Sequence, residues 1–142
     1  MPMIDIYAAA GRFRDPAKLA ADAAATVKDV EQVPDIPMFR KNTCGFVHEL
    51  PPGAIANVDG ESDYVRVQVL TNAGALNRDK QIEVVRRLAD LVAAAAGDPE
   101  LKNRTWVLLT EAAEGGWGLW GHAHTNAELI GAARAEIGRL KG

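Results

Sequence analysis

A shift of 62 residues maps VHELPPG (47–53) onto LTEAAEG (109–115), and nearly the same shift maps one helical pattern onto another. No other feature limits the fold so tightly. A single strand–helix–strand unit buries one face of its two strands, so two copies must complete each other. In the first copy, Met3, Ile4 and Ile6 form a short strand after Pro2, and a loop with Gly11 and two arginines follows. Asp15-Pro16 then opens a helix with a capping side chain and proline at the first helical position. Leu19, Ala23, Val27 and Val30 recur at helical spacing, which predicts a helix from 16 to about 31. VPDIP (33–37) reads as a loop, and Thr43 to Leu50, with Phe46 at its middle, as a strand closing at Pro51-Pro52-Gly53.

In the second copy, Val65, Val67 and Val69 alternate with Arg66 and Gln68, the pattern of a half-buried strand. Asn77 caps a helix expected to carry Ile82, Val85, Leu88 and Val92 on one face, and Gly97 ends it. Trp106 to Thr110 is the second closing strand, before a Gly-rich turn. Leu129, Ala133, Ile137 and Leu140 define a third helix over 126–140. The expected class is α+β: one domain over 1–142, with repeat units 2–56 and 63–121, a linker near Asn57–Ser62 and a C-terminal helix. The order β-α-β-β-α-β fits a ferredoxin-like antiparallel sandwich. It fits equally two parallel β-α-β units about a pseudo-twofold axis, and periodicity leaves both open.

Composition narrows the class of partner. Net charge is -3 with no Lys/Arg run, so nothing resembles a nucleic-acid footprint. The apolar stretches are too short and interrupted for a membrane span, and no signal peptide is visible. The single cysteine, Cys44, excludes an internal disulfide, suits a reducing cytoplasm and reads as a small buried hydrophobe. His122 and His124 stand two apart without an obvious carboxylate partner, a weak metal pattern, and His48 reads as a structural hydrogen-bonder. No metal and no cofactor are expected.

Pro2 is the chemically distinctive residue. Proline donates nothing to a strand ladder and fits only at its first residue or an edge. If Met1 is removed, however, Pro2 becomes a secondary amine. A free α-amine titrates at about 7.7–8.0, and an apolar pocket lowers that value towards neutrality, where a general base works best. With Met1 retained, the Pro2 nitrogen is an amide and has no such use.

Pro2, the strand after it and Gly11-Arg12 resemble the opening of the tautomerase superfamily, notably 4-oxalocrotonate tautomerase and its fused-repeat relatives. WVLLTEAAEGGWGLWG (106–121) resembles that family's second closing strand and hairpin, and FVHELPPGA (46–54) is similar to a stretch of the two-unit malonate semialdehyde decarboxylase. The resemblance spans nearly all of 2–121. It implies a homotrimer acting on a small carboxylate-bearing substrate, with Pro2 as base and acid, Arg12 as carboxylate anchor and Trp117 as an apolar wall beside Pro2.

There are departures from the family pattern. The closing-strand arginine that polarises the substrate carbonyl is replaced by Cys44 in one unit and Trp106 in the other. Arg104 or Arg40 is the expected substitute, with Lys41 a further possibility. Asn42 stands where the decarboxylase has an aspartate, and Asn72 lies where hydrating members carry paired arginines. An amide holds water but cannot take its proton, so tautomerisation is favoured over decarboxylation or hydration. A trimeric binding protein without catalysis is the third reading. Asp63 or Tyr64 occupies the second unit's proline position, so each chain offers one catalytic amine. Trp117 and Trp120 are expected to share one side of the hairpin, with Trp120 and Trp106 in packing roles.

Overall fold

In the computed structural model, which describes residues 1–142, the two repeat units meet along their first strands. Strands β1 (Met3–Ala9) and β3 (Val65–Thr71) run antiparallel, with Met3 opposite Leu70 and Ile6 opposite Val67. β2 (Cys44–Leu50) lies parallel to β1, and β4 (Thr105–Glu111) parallel to β3. The order β2-β1-β3-β4 selects the paired parallel units over the ferredoxin-like sandwich. First strands and first helices repeat at 62 residues, from Met3 to Val65 and from Pro16 to Arg78. The closing strands, Cys44 and Thr105, repeat at 61.

Each crossover helix starts and stops where its sequence signals fall. α1 (Pro16–Glu31) is capped by Asp15, whose side chain accepts from the Lys18 amide. α2 (Pro37–Lys41) is a short helix in a segment whose first half alone, up to Ile36, is loop. α3 (Arg78–Ala96) begins at the Asn77 cap and ends at Gly97 in a left-handed conformation (φ 64°). A 3-10 turn over Pro99–Arg104 leads into β4.

Both long helices cover one face of the sheet. Ile4, Ile6 and Ala8 interlock there with Val65, Val67 and Val69, beneath Leu19, Ala23 and Val27 of α1. α3 contributes Val84, Leu88 and Val92, which corrects the expected face: Ile82 is 51% exposed and Val85 only half-buried. Steps of four residues keep 84, 88 and 92 within about 40° of one another in turn, whereas Ile82 falls about 120° from Leu88. α1 crosses β2 so closely that a Cβ at Gly45 would meet the Ala20 backbone.

The other sheet face carries no helix. Tyr7 stacks on His48 at 4.3 Å, His48 Nε2 lies 2.7 Å from Asp5 Oδ1, and Arg66 sits over Tyr7. Phe46, Trp106 and Leu108 are exposed on this side. Cys44 is half-buried rather than buried.

After the repeat come a hairpin, β5 (Trp117–Leu119) and β6 (His122–His124), and α4 (Asn126–Lys141). Trp120 and Gly121 form its two-residue turn with φ of 55° and 75°, the primed geometry matching strand twist. That turn corrects the expected sharing of one side: Trp117 is buried, while Trp120 projects outward at 65% exposure. Leu129 and Ala133 of α4 are buried, and Leu140 is exposed. No helix is long and apolar enough to cross a membrane.

Candidate functional site

Antiparallel pairing of β1 and β3 sets the geometry of the site. It lays the start of β1 beside the end of β3, and the start of β3 beside the end of β1. The molecule therefore has two pseudo-equivalent ends, and they differ.

At the first end, a cavity of about 540 Å³ is lined by Met1, Glu31 and Phe39, the loop Asn72–Ala75, and Leu129, Ile130, Arg134 and Ile137 of α4. Met1 is buried in an apolar cluster with Ile36, Met38, Trp117, Leu129 and Ala133. Behind it, Pro2 is fully buried, and its carbonyl accepts from the Cys44 amide at 3.2 Å. The residue before β1 is thereby pinned to β2, with Met1 at the cavity.

The amine of Met1 lies 3.6 Å from Glu31 Oε1, and both groups are nearly excluded from solvent. Burial lowers the amine pKa, opposed by the attraction of Glu31. Burial also pushes the Glu31 carboxyl up, opposed by the amine and by Lys80. Lys80 Nζ donates to the Glu31 backbone carbonyl, tying the last turn of α1 to α3. The arrangement presents an amine of weakened basicity and a carboxylate in one apolar chamber.

The chamber's outer wall is held by side-chain hydrogen bonds. Asn72 Nδ2 donates to Asn126 Oδ1 at 3.0 Å, and Asn126 Nδ2 donates to the Ala73 carbonyl at 2.8 Å. Glu136 accepts from the Met38 amide at 2.8 Å. A capping box fixes the start of α4: the Glu128 amide donates to Thr125 Oγ1, and the Thr125 amide donates to Glu128 Oε1. Those bonds, with one from His122, hold the Glu128 carboxyl below its usual range. Its contribution to stability is therefore present above the ordinary carboxylate pKa and disappears as pH falls through the lowered value. Replacing Thr125 by alanine is expected to remove about 1 kcal/mol, read as a lower urea midpoint with unchanged m. His122 thus has the carboxylate partner that its sequence neighbours did not suggest, and His124 Nδ1 lies 3.3 Å from the Trp117 carbonyl.

At the second end, Arg12 and Arg104 share Asp98 at 2.8 and 2.9 Å, and both reach Asp63. Desolvation pushes the Asp98 carboxyl up, but hydrogen bonds from Arg104 and Arg12 outweigh it and hold the pKa low. Arg12 Nε is buried without a partner. The length of β1 separates this cluster from Pro2 by roughly 20 Å or more.

Of the residues singled out in the sequence, the fold gathers Pro2, Trp117 and Asn72 at the first end. Arg12 and Arg104 stand at the second. Arg40 belongs to neither: its Nη1 donates to the Asp35 carbonyl. Asn42 Nδ2 donates to the Met38 carbonyl, closing the last turn of α2. Sequence reasoning did not single out Glu31, a charged residue buried at the end of α1, or Arg134, an exposed residue of α4. The repeat itself held a signal for Arg12, since its counterpart 62 residues on is Gly74, in the cavity loop.

No protein-family model and no curated protein matches the chain. Solved structures do. N1, a member of the cis-3-chloroacrylic acid dehalogenase family, superposes with a TM-score of 0.72 at 15% identity, over 92% of this chain and 90% of that one. The F6 fused 4-OT wild-type asymmetric trimer gives 0.72 at 15% identity, over 89% and 98%. Malonate semialdehyde decarboxylase gives 0.66 at 19% identity, over 92% and 98%. With the β-α-β repeat, the strand order and the C-terminal helix, these likenesses establish that the chain has the tautomerase-superfamily, MIF-like fold.

Proposed function

We propose that the chain, once Met1 is removed, is a cofactor-independent tautomerase acting on a small 2-oxo or enol carboxylate. One observation carries the reading: the amine of Met1, one residue before Pro2, is buried at an apolar cavity beside Glu31, with its basicity lowered by burial. Pro2 is the residue exposed there by loss of Met1. Its nitrogen takes the enol O–H proton, the electron pair moves through the enol to carbon, and the same nitrogen returns the proton to that carbon. Trp117 serves as a wall that keeps water from the amine. Arg12 can hold a substrate carboxylate only across a subunit boundary, because within one chain β1 separates it from Pro2.

The proposed assembly is a homotrimer. The helix-free sheet face, with Phe46, Trp106 and Leu108 exposed, needs a covering surface, and one structural neighbour is a trimer. The reading also places the protein in the cytoplasm, where the lone Cys44 stays reduced.

Glu31 favours hydration or decarboxylation as a second reading within the same fold. A carboxylate in the cavity can take a proton from water, which Asn42 cannot. The test is direct. Intact mass establishes whether Met1 is absent, and the processed protein is assayed with an aryl enolpyruvate and an acetylenic acid. Ketonisation supports the tautomerase, and hydration of the alkyne supports the second reading. Turnover of neither, in processed protein, leaves a non-catalytic binding protein.

A further inference from the structure

We propose that Arg134, on α4, is the carboxylate-binding residue of the Pro2 cavity. This deepens the proposed function and rests on the same site. The repeat shows what the cavity lacks. Its loop is the counterpart of Ala10–Arg12, and the position of the arginine holds Gly74, without a side chain and with φ of 73°. Arg12 itself is neutralised by Asp63 and Asp98 at the far end.

Arg134, an exposed residue of α4, lines the cavity. None of the chain's ion pairs includes it. Its own helix offers no acid three or four residues away: those positions are Ile130, Gly131, Ile137 and Gly138. Glu136 is engaged with the Met38 amide. Glu31, the cavity's carboxylate, is paired with the amine of Met1 rather than with Arg134. The guanidinium is thus an uncommitted, solvent-exposed cation at the cavity, with a fork suited to one carboxylate. The hydrogen-bonded Asn72–Asn126 pair holds its helix against the cavity loop.

The charge layout also orients the ligand. Arg134 takes the carboxylate, Leu129 and Ile137 flank the apolar body, and the reacting carbon points to the amine. A second carboxylate would approach Glu31 and be repelled. The inference is therefore a monocarboxylate with an apolar substituent.

Equilibrium binding of 3-phenylpropanoate, an inert monocarboxylate, tests this in processed full-length protein. Wild type and Arg139→Ala, an exposed change in the same helix, are expected to bind alike. Arg134→Ala is expected to weaken Kd by about tenfold or more, the loss of a charged hydrogen-bonded pair, and Arg134→Lys to recover part of it. In turnover, Arg134→Ala should raise KM more than it lowers kcat. Equal binding by wild type and Arg134→Ala overturns the inference, as does no binding by wild type. Arg134-dependent binding without enolpyruvate turnover upholds it while overturning the tautomerase reading.

Discussion

Pro2→Ala, in protein from which Met1 has been removed, is expected to lower kcat/KM for enolpyruvate ketonisation about 100-fold or more. Alanine leaves the chain an amine, so charge and burial survive, and what is lost is direction. The pyrrolidine ring fixes the nitrogen lone pair relative to β1, and the Cys44 amide fixes the Pro2 carbonyl. A primary amine rotates about its N–Cα bond, and misplacement by about 1 Å costs a factor of this size. A change of less than about threefold would remove Pro2 from the mechanism. The pH profile carries a second signature. Burial lowers the pKa of the Met1 amine; a Pro2 amine buried in the same way would keep its activity below the ordinary α-amine value and lose it as pH falls further. Glu31 raises the pKa of the Met1 amine, so if it faces the Pro2 amine likewise, Glu31→Gln should move the acidic limb to lower pH, because the ammonium loses its counter-charge. An unmoved limb would mean that Glu31 does not face the base.

Gly45→Ala is expected to be the most damaging methyl addition in the molecule. The added carbon would lie 2.8 Å from the Ala20 carbonyl carbon and nearer still to its oxygen. Backbone, not a flexible side chain, stands in the way, so α1 must lift from β2. Overpacking of this kind costs about 3 kcal/mol, and lifting α1 would also displace Glu31 at its last turn. The expected measurement is a fall in the urea midpoint with m unchanged. Gly118→Ala is the companion: its Cβ would meet nothing within 4 Å. Equal stability of the two variants would mean that Ala20 of α1 does not press on Gly45.

Local features of this fold were legible in the chain because their causes are local. Asp15-Pro16 and Gly97 mark helix ends through caps and a left-handed residue, and the bounds of α1 follow. The repeat implied a shared sheet, but pairing direction depends on contacts between Ile4 and Val69 that no short window contains. α2 was hidden because Pro37 reads as punctuation, although proline suits the first turn of a helix. The face of α3 was misassigned because Ile82 is apolar yet exposed. Pro2 stood out through its chemistry taken together with the repeat and Gly11-Arg12, and its role remains a proposal. Glu31 and Arg134 did not stand out: each is an ordinary charged residue on a helix, and only the tertiary fold brings positions 1, 31 and 134 to one cavity.

The burial of Met1 beneath Trp117, Leu129 and Ala133 has a consequence in time. A peptidase needs the first peptide bond free of cover, and much of that cover comes from Trp117, Leu129 and Ala133, more than a hundred residues later. At about 5–20 residues per second, synthesis of the hundred-odd residues between Met1 and the hairpin leaves an interval of seconds. Any excision of Met1 would belong to that interval, on the ribosome. Full-length protein refolded with Met1 in place would hide the bond and keep it, so the order of events during birth would decide whether a molecule becomes catalytic.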